Sequence, residues 1–158
     1  MGEVEGDSIR VRCPQAGQGD IPAFLARPRS RLDVGHKAAL TAAYARLTAA
    51  LDPAAGQQVL HGDAGAGNLM PAADGWVWHD FEDTSSGPVA WDLAASTASQ
   101  RLDGSRILTA YGDPAPPQLA VCQQLRRLHL TVWYALYTER LPQLRSRAAE
   151  LLALWPAP

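Results

Sequence analysis

The sequence predicts an α+β fold, in which a mostly helical domain carries a small β hairpin. Two stretches, 35–51 and 118–140, place apolar residues at helical spacing. Between them, Asp74-Gly75 comes directly before Trp76-Val77-Trp78, which is the pattern of a tight turn followed by a strand. A chain of 158 residues with 47% hydrophobic residues is long enough to bury one core. These observations indicate a single helical domain.

The composition excludes several classes of protein. The formal net charge is −2 and the basic residues are scattered, so we expect no nucleic-acid partner. No apolar run approaches the length of a membrane span or of a signal core, so we expect no membrane partner. Cys13 and Cys122 lie far apart, without the spacing of a disulfide framework or a metal site. A cytoplasmic location fits this pattern.

The first 34 residues are the least regular part of the chain. Ser8–Arg12 alternates like a short strand, and residues 14–20 form a linker rich in Gly and Gln. Ile21–Leu25 is a small apolar patch that could anchor the segment. We therefore predict an irregular segment or linker over 1–34 and the folded domain over 35–158.

The folded domain is predicted to contain five helices. The first runs from about Gly35 to Leu51 and ends at Asp52-Pro53. The stretch from 112 to 117 contains three prolines and cannot be helical. Around this break, the apolar spacing predicts helices over about 92–101, 104–111, 118–140 and 142–155.

The sequence HGDAGAGN at 61–68 contains candidate catalytic and metal-binding residues. Asp63 is followed five positions later by the carboxamide of Asn68, and a second carboxylate, Asp80, comes twelve residues after that. Phosphoryl transfer uses such a set, in which one carboxylate accepts the hydroxyl proton of the acceptor. An amide and a second carboxylate then hold Mg²⁺ against the nucleotide phosphates. Asp and Asn are also common in turns for purely local reasons.

A hairpin explains how residues far apart in this set can meet. Val59-Leu60 forms an apolar lead-in to a glycine-rich loop, and Leu69-Met70 forms a brief strand after it. Trp76–Trp78 returns as the second strand. Because a hairpin brings its two ends together, we expect Asp80 at the same end as Asp63 and Asn68.

Three segments, HGDAGAGN, WVWHDFED and GPVAWDLA, resemble the C-terminal, catalytic lobe of the aminoglycoside phosphotransferase and choline kinase-like family, which has a protein kinase-like fold. The resemblance implies that Asp63 is the catalytic base and that Asn68 and Asp80 bind magnesium. Glu82 resembles a second acidic residue that many members carry. Asp92 resembles the aspartate that braces the catalytic loop in that family.

The resemblance covers about three quarters of the chain and makes 35–158 a kinase-like C-terminal lobe. It implies a phosphotransferase that uses Mg²⁺ with ATP or GTP and phosphorylates a hydroxyl of a small molecule. The acceptor stays open among an aminoglycoside, choline, a sugar or a similar alcohol. An amino sugar needs acidic walls, for which Asp103, Asp113 and Glu139 are available.

Several residues also have a purely structural interpretation. Asp92 begins a helical stretch, so it could equally be an N-cap. Glu82 could be a solvated loop charge, and Asp83 likewise. His61 is expected to hydrogen-bond the loop and not to act as an acid or base. His129 lies in a helical stretch and carries no motif.

The N-terminal nucleotide lobe of a complete kinase is expected to be largely absent from this chain. Residues 1–35 contain no Gly-rich loop after a strand. Lys37 is the only lysine and begins a helix, so no nucleotide-gripping lysine is found. The chain is then a truncated gene product, a fragment, or a subunit whose partner supplies an N-terminal lobe.

Two alternative interpretations compete with a phosphotransferase function. In the first, the chain is a catalytically incompetent remnant that binds a metal or a partner. In the second, His61, His79 and Asp80 serve a metal-dependent phosphohydrolase of the His-Asp type. That type carries its dyad on a helix, so a strand over Trp76-Val77 argues against it.

Overall fold

The computed structural model describes residues 21–26, 32–52, 57–98, 102–112, 114–138 and 140–156. Within these ranges the chain forms helices joined by short strands, and the predicted α+β class is confirmed. The helices are α1 (Ile21–Leu25), α2 (Val34–Ala49), α3 (Ala90–Thr97), α4 (Gly104–Tyr111), α5 (Leu119–Tyr137) and α6 (Arg145–Leu152). The strands are β1 (Gln57–Leu60), β2 (Leu69–Ala72), β3 (Gly75–Trp78) and β4 (Ser85–Pro88).

Helix α5 is the centre of the domain and packs against α2, α3 and α6. Its apolar stripe buries Cys122, Leu125, Leu128 and Val132, as its helical spacing predicts. Helix α5 also buries three polar residues, Arg126, His129 and Thr131. No helix in the described ranges is both long and apolar enough to cross a membrane.

The strands form two separate antiparallel pairs. The predicted hairpin is confirmed, since β2 pairs with β3 in the register Leu69↔Trp78. The second pair was not predicted: β1 pairs with β4, and Leu60 lies opposite Ser85. The segment between Leu60 and Ser85 therefore leaves and re-enters the domain at the same place, and it carries all the predicted site residues except Asp92.

The predicted helices are confirmed with small shifts at their ends. Asp33 caps α2 through the backbone N–H of His36, and Asp103 caps α4, which begins and ends where the sequence predicts. The predicted final helix begins instead with a 3₁₀ turn at Pro142–Leu144, and α6 follows it. Proline fits the start of such a turn because it lacks a backbone N–H.

The segment predicted as irregular contains a helix. Ile21–Leu25 forms α1, and Ile21, Phe24 and Leu25 are buried in the main core. The apolar patch therefore anchors the segment, although its helical form was missed because five residues are too few to show a period. The predicted strand at 8–12 and linker at 14–20 lie outside the described residues. The boundary between 34 and 35 stays a prediction.

Candidate active site

The glycine-rich loop at 61–68 is attached to α3 through Asp92. The backbone N–H groups of His61 and Gly62 donate to the two carboxylate oxygens of Asp92, at 2.8 and 3.0 Å. Asp92 is the third residue of α3, and Val89 occupies the N-cap position. The N-cap interpretation of Asp92 is therefore wrong, and its carboxylate binds the loop instead.

Two further side chains of α3 hold the loop. Trp91 donates from Nε1 to the carbonyl oxygen of Gly62 at 2.9 Å, and Ser96 donates from Oγ to that of Ala64 at 2.6 Å. Gly62 has a φ of 87°, and a Cβ there would lie 2.0 Å from the carbonyl oxygen of Asp83. Only glycine fits this position, because the loop and the segment after β3 touch there. Sequence reasoning did not assign Trp91 or Ser96 to the site.

Asp63 is held from two sides. Its Oδ1 accepts a hydrogen bond from Nη2 of Arg126 at 2.9 Å, and its Oδ2 accepts one from Nδ2 of Asn68 at 3.1 Å. The same amide nitrogen also donates to the Asp63 carbonyl oxygen at 2.8 Å. The side chain of Asp63 remains 43% exposed, so a small molecule can reach it. No described residue donates a hydrogen bond to the Oδ1 atom of Asn68.

Arg126 is a site residue that sequence reasoning missed. Its side chain is only 8% exposed, and its guanidinium lies 4.6 Å from the centroid of the Trp91 ring. Its Nε atom has no hydrogen-bond partner among the described residues. Burial lowers the pKa of Arg126, and the charge of Asp63 opposes that shift. The one available signal was an arginine within the apolar stripe of α5, where charged residues are rarely placed unless paired.

The hairpin places Asp80 next to the loop. The backbone N–H of His79 donates to the carbonyl oxygen of Asn68 at 3.1 Å, which continues the β2–β3 pairing by one residue. Asp80 follows directly and adopts a left-handed conformation, with φ 65° and ψ 62°. Such a conformation is uncommon outside glycine, although Asp and Asn tolerate it. Asp80 is exposed, as are the side chains of β3.

Four carboxylates give the site a negative potential near the base of the hairpin. They belong to Asp63, Asp80, Glu82 and Asp83. Burial raises the pKa of Asp83, and the charges of Asp63, Glu82 and Asp80 raise it further, against the effect of Arg126. Asp83 is half-buried and is therefore not the fully solvated loop charge that the sequence suggested, whereas Glu82 is exposed. Among the described residues, no three His, Cys, Asp or Glu side chains gather into a metal site.

His61 is occupied by contacts within the site. Its Nε2 donates to the carbonyl oxygen of His79 at 2.9 Å, and its Nδ1 accepts from the backbone N–H of Asp63 at 3.3 Å. Its ring also packs against Phe81, with 4.7 Å between the centroids. The His-Asp phosphohydrolase reading is wrong in its geometry, because His79-Asp80 follows strand β3 and is not on a helix.

A cavity of about 500 Å³ opens beside Asp63. One wall is a single face of α5, and the other consists of small residues from the loop and α3. The lining comprises Asp63, Gly65, Ala66, Gly67, Ala95, Ala98, Arg126, His129, Leu130, Trp133 and Tyr134. A larger cavity of about 740 Å³ lies between α2 and α5, and none of the predicted site residues lines it.

Comparison with known proteins identifies the family and the fold. The model of the phosphotransferase enzyme family matches residues 9–125. Among solved structures, choline kinase LicA from Streptococcus pneumoniae matches with a TM-score of 0.55 and 18% identity over 84% of this chain and 52% of that one. LicA in complex with AMP matches with a TM-score of 0.55 and 19% identity over 82% of this chain and 50% of that one. At this identity the structures show the fold alone. No curated protein matches.

Proposed function

The chain belongs to the phosphotransferase enzyme family, and on that premise we propose that it transfers the γ-phosphoryl group of ATP or GTP to a hydroxyl of a small molecule. One observation supports this proposal above the others. Asp63 is oriented by Arg126 and Asn68, yet its carboxylate remains accessible from a cavity that suits a small molecule. A general base must be both positioned and reachable in this way.

In this mechanism Asp63 takes the proton of the acceptor hydroxyl as the oxygen attacks the γ-phosphorus, and the bond from that phosphorus to the bridging β-phosphate oxygen breaks, which releases ADP or GDP. Arg126 and Asn68 each occupy one carboxylate oxygen, so the side chain holds one rotamer without further ordering at the moment of reaction. Asp92 fixes the backbone just before the base through two hydrogen bonds. The acceptor lies in the cavity beside α5 and could be aminoglycoside-, choline- or sugar-like.

The residues near the hairpin base fit a magnesium ion carried by the nucleotide. Mg²⁺ is usually held by one or two carboxylates together with substrate phosphates, and not by a complete cage of protein ligands. The free Oδ1 of Asn68 and the exposed carboxylate of Asp80 supply hard oxygen donors of that kind. When bound, the ion would offset the charge that develops on the phosphate oxygens. Glu82 is a third candidate ligand.

The chain spans about half the length of the choline kinase structures that it matches. We propose that a nucleotide-binding lobe, in the same or a partner chain, completes the enzyme, and that the enzyme works in the cytoplasm. The exposed apolar side chains of the hairpin region support such a contact. They belong to Met70, Trp76, Val77, Trp78 and Phe81.

A metal titration tests the assignment of the ligands. We expect Asp80→Ala to weaken Mn²⁺ binding in the presence of ADP far more than Glu82→Ala does, since Asp80 lies next to the residue that pairs with Asn68. Isothermal calorimetry of residues 1–158 provides the measurement. Glu82→Ala removes the neighbouring exposed carboxylate and is the comparison, since equal losses in the two variants would mean that Glu82 is also a ligand. Unchanged binding in Asp80→Ala would remove Asp80 from the metal site.

The alternative function is a partner-binding remnant without activity, and the exposed hairpin is the observation that favours it. Nucleotide binding distinguishes the two. A phosphotransferase lobe should bind Mg²⁺-ATP with a weak affinity, in the millimolar range if several phosphate contacts of about 1.5–3 kcal/mol each come from another lobe. A complete lack of nucleotide binding, with Mn²⁺ unaffected by Asp80→Ala, would favour the remnant.

A further inference from the structure

The indole of Trp91 makes two contacts in the candidate site, one with its edge and one with its face. Its Nε1–H donates to the carbonyl oxygen of Gly62 at 2.9 Å, directly before Asp63 in the chain. The guanidinium of Arg126 lies over the ring, 4.6 Å from its centroid. Tryptophan suits both contacts at once, because its N–H lies in the ring plane and its π face attracts cations most strongly.

Hydrogen bonds alone do not fix the guanidinium of Arg126. An arginine side chain has five N–H donors. Nη2 of Arg126 donates to Oδ1 of Asp63 at 2.9 Å, whereas its Nε is buried and has no partner in the part of the chain that the structure describes. A single hydrogen bond leaves the group free to turn about that bond. Stacking against an aromatic face removes this freedom, because it fixes the plane of the guanidinium.

Three carboxylates compete for this guanidinium. The charges of Asp63, Asp92 and Asp83 all act on Arg126. Asp92 is already occupied, since its two oxygens accept hydrogen bonds from backbone N–H groups of the loop. Asp83 is the remaining competitor: burial raises its pKa, and the charge of Arg126 acts against that rise. The plane of the guanidinium therefore decides whether it meets Asp63 or Asp83.

We infer that Trp91 is a positioning residue of the proposed base, Asp63. The face of its ring holds the guanidinium of Arg126 in the plane that directs Nη2 to Asp63 and away from Asp83. The edge of the same ring holds the Gly62 carbonyl, so one side chain fixes both the backbone and the carboxylate of the base. Trp91 does not line the cavity, so it acts through these two contacts and not on a ligand. The inference rests on the proposed function, which makes Asp63 the base.

NMR of ¹⁵N-labelled residues 1–158 tests the contact through the Nε–H of Arg126, whose signal is assigned by its loss in Arg126→Met. In the wild type this signal should lie upfield of free arginine, because the ring current shields a group above the indole face. Trp91→Leu should return it towards the free position and accelerate its hydrogen exchange about tenfold, as expected for losing a buried cation–π contact. Trp91→Phe should keep most of the upfield shift, since it retains an aromatic face.

A second substitution tests the choice between the carboxylates. The side-chain amide of Asn68 donates to Oδ2 of Asp63 at 3.1 Å, so its signals report the orientation of that carboxylate. These signals should shift in Trp91→Leu, because the guanidinium is then shared with Asp83. Adding Asp83→Asn removes the competing charge and should return them towards their wild-type positions, and Asp83→Asn alone should leave them near those positions.

Trp155→Leu is the control for the loss of a partly buried tryptophan. Its indole also donates a hydrogen bond, to Oγ1 of Thr131 at 3.0 Å, but it lines the other cavity. The variant should leave the signals of Arg126 and Asn68 unchanged, whatever it does to the stability of the domain.

Three outcomes would overturn the inference. The first is an Arg126 signal at the free-arginine position in the wild type, which decides the matter even if Trp91→Leu does not fold. The others are equal shifts in Trp91→Leu and Trp155→Leu, and no recovery when Asp83→Asn is added. The proposed function is tested separately by the Mn²⁺ titration with ADP. Mn²⁺-ADP binding that depends on Asp80, together with any of these three outcomes, would refute the role of Trp91 alone.

Discussion

The loop that carries Asp63 and the hairpin that leads to Asp80 differ sharply in how they are held. Asp92, Trp91 and Ser96 of α3 bind the backbone of the loop, and Arg126 of α5 binds its carboxylate. The hairpin is held by its own pairing and by contacts at its base, and the side chains of β3 are all exposed. One half of the site is therefore built into the helical core, and the other half projects from it.

This difference assigns separate physical roles to the two halves. The proposed base is oriented before any ligand binds, because its partner Arg126 is a buried residue of a core helix. The proposed metal side has few buried apolar contacts, so it should open at a low free energy until another molecular surface covers it. Mutations around the loop should therefore change the free energy of unfolding strongly, and mutations on the hairpin should change it little.

The largest expected effect comes from the pair Asp63 and Arg126. Asp63→Ala should lower the free energy of unfolding by about 3–5 kcal/mol, because it removes the one described carboxylate that is hydrogen-bonded to the buried guanidinium of Arg126. Arg126→Met should change it by less than about 1 kcal/mol, since the half-exposed Asp63 can be solvated by water. Urea unfolding measures both.

The double variant Asp63→Ala with Arg126→Met serves as the control and should recover most of the stability lost in Asp63→Ala. Equal losses in the two single variants would mean that the loop does not depend on neutralising Arg126.

The second effect is a dependence of stability on pH through His129. Its pKa is about 4 in the folded protein and 6.5 when unfolded, so the unfolded chain binds the extra proton between these values. Above pH 6.5 the neutral ring of His129 makes its full contribution to the free energy of unfolding. This contribution, roughly 3 kcal/mol, is lost as the pH falls to 4.

The measurement compares urea unfolding of the wild type and His129→Leu across that pH window, so that groups titrating in both proteins cancel. The difference between them should shrink or invert on acidification in favour of the leucine variant. A constant difference would show that the ring of His129 is not shielded from water by α5 and its neighbours.

A third effect concerns the anchor of the loop. Asp92→Ala should cost about 2–3 kcal/mol, because two half-buried N–H groups lose a charged acceptor. The same variant should accelerate hydrogen exchange of the His61 and Gly62 amides. Asp103→Ala is the control, since it removes an exposed helix cap and should cost about 1 kcal/mol without changing those two amides. Unchanged exchange in Asp92→Ala would contradict the anchoring role.

The smallest effect is expected on the hairpin. Trp76 is 70% exposed, so Trp76→Ala should change the free energy of unfolding by less than about 0.5 kcal/mol, despite the loss of a large aromatic side chain. Thermal unfolding provides the measurement. A loss of more than about 2 kcal/mol would show that the hairpin is part of the core and would remove the contrast between the two halves.

Local patterns predicted those parts of the fold that depend on neighbouring residues. The bounds of α4 were predicted from apolar spacing and from the break that begins at Gly112, and the hairpin was predicted from Asp74-Gly75 between two apolar runs. The pairing of β1 with β4 joins residues more than twenty positions apart, and no local signal encodes it. Helix α1 was missed because a five-residue apolar patch has no measurable period.

By itself, the amino-acid sequence determined the order of helices around one hairpin, and its motifs placed Asp63, Asn68 and Asp80 on one loop and one strand end. These features are local, since spacing, turn residues and capping act within a few positions. Only the tertiary structure decided that Arg126 and His129 of α5 face Asp63 and that Asp92 binds the loop instead of capping its helix. The physical reason is that a buried charge or hydrogen bond is matched by whichever side chain the packing brings near it, and that partner can be sixty residues away along the chain.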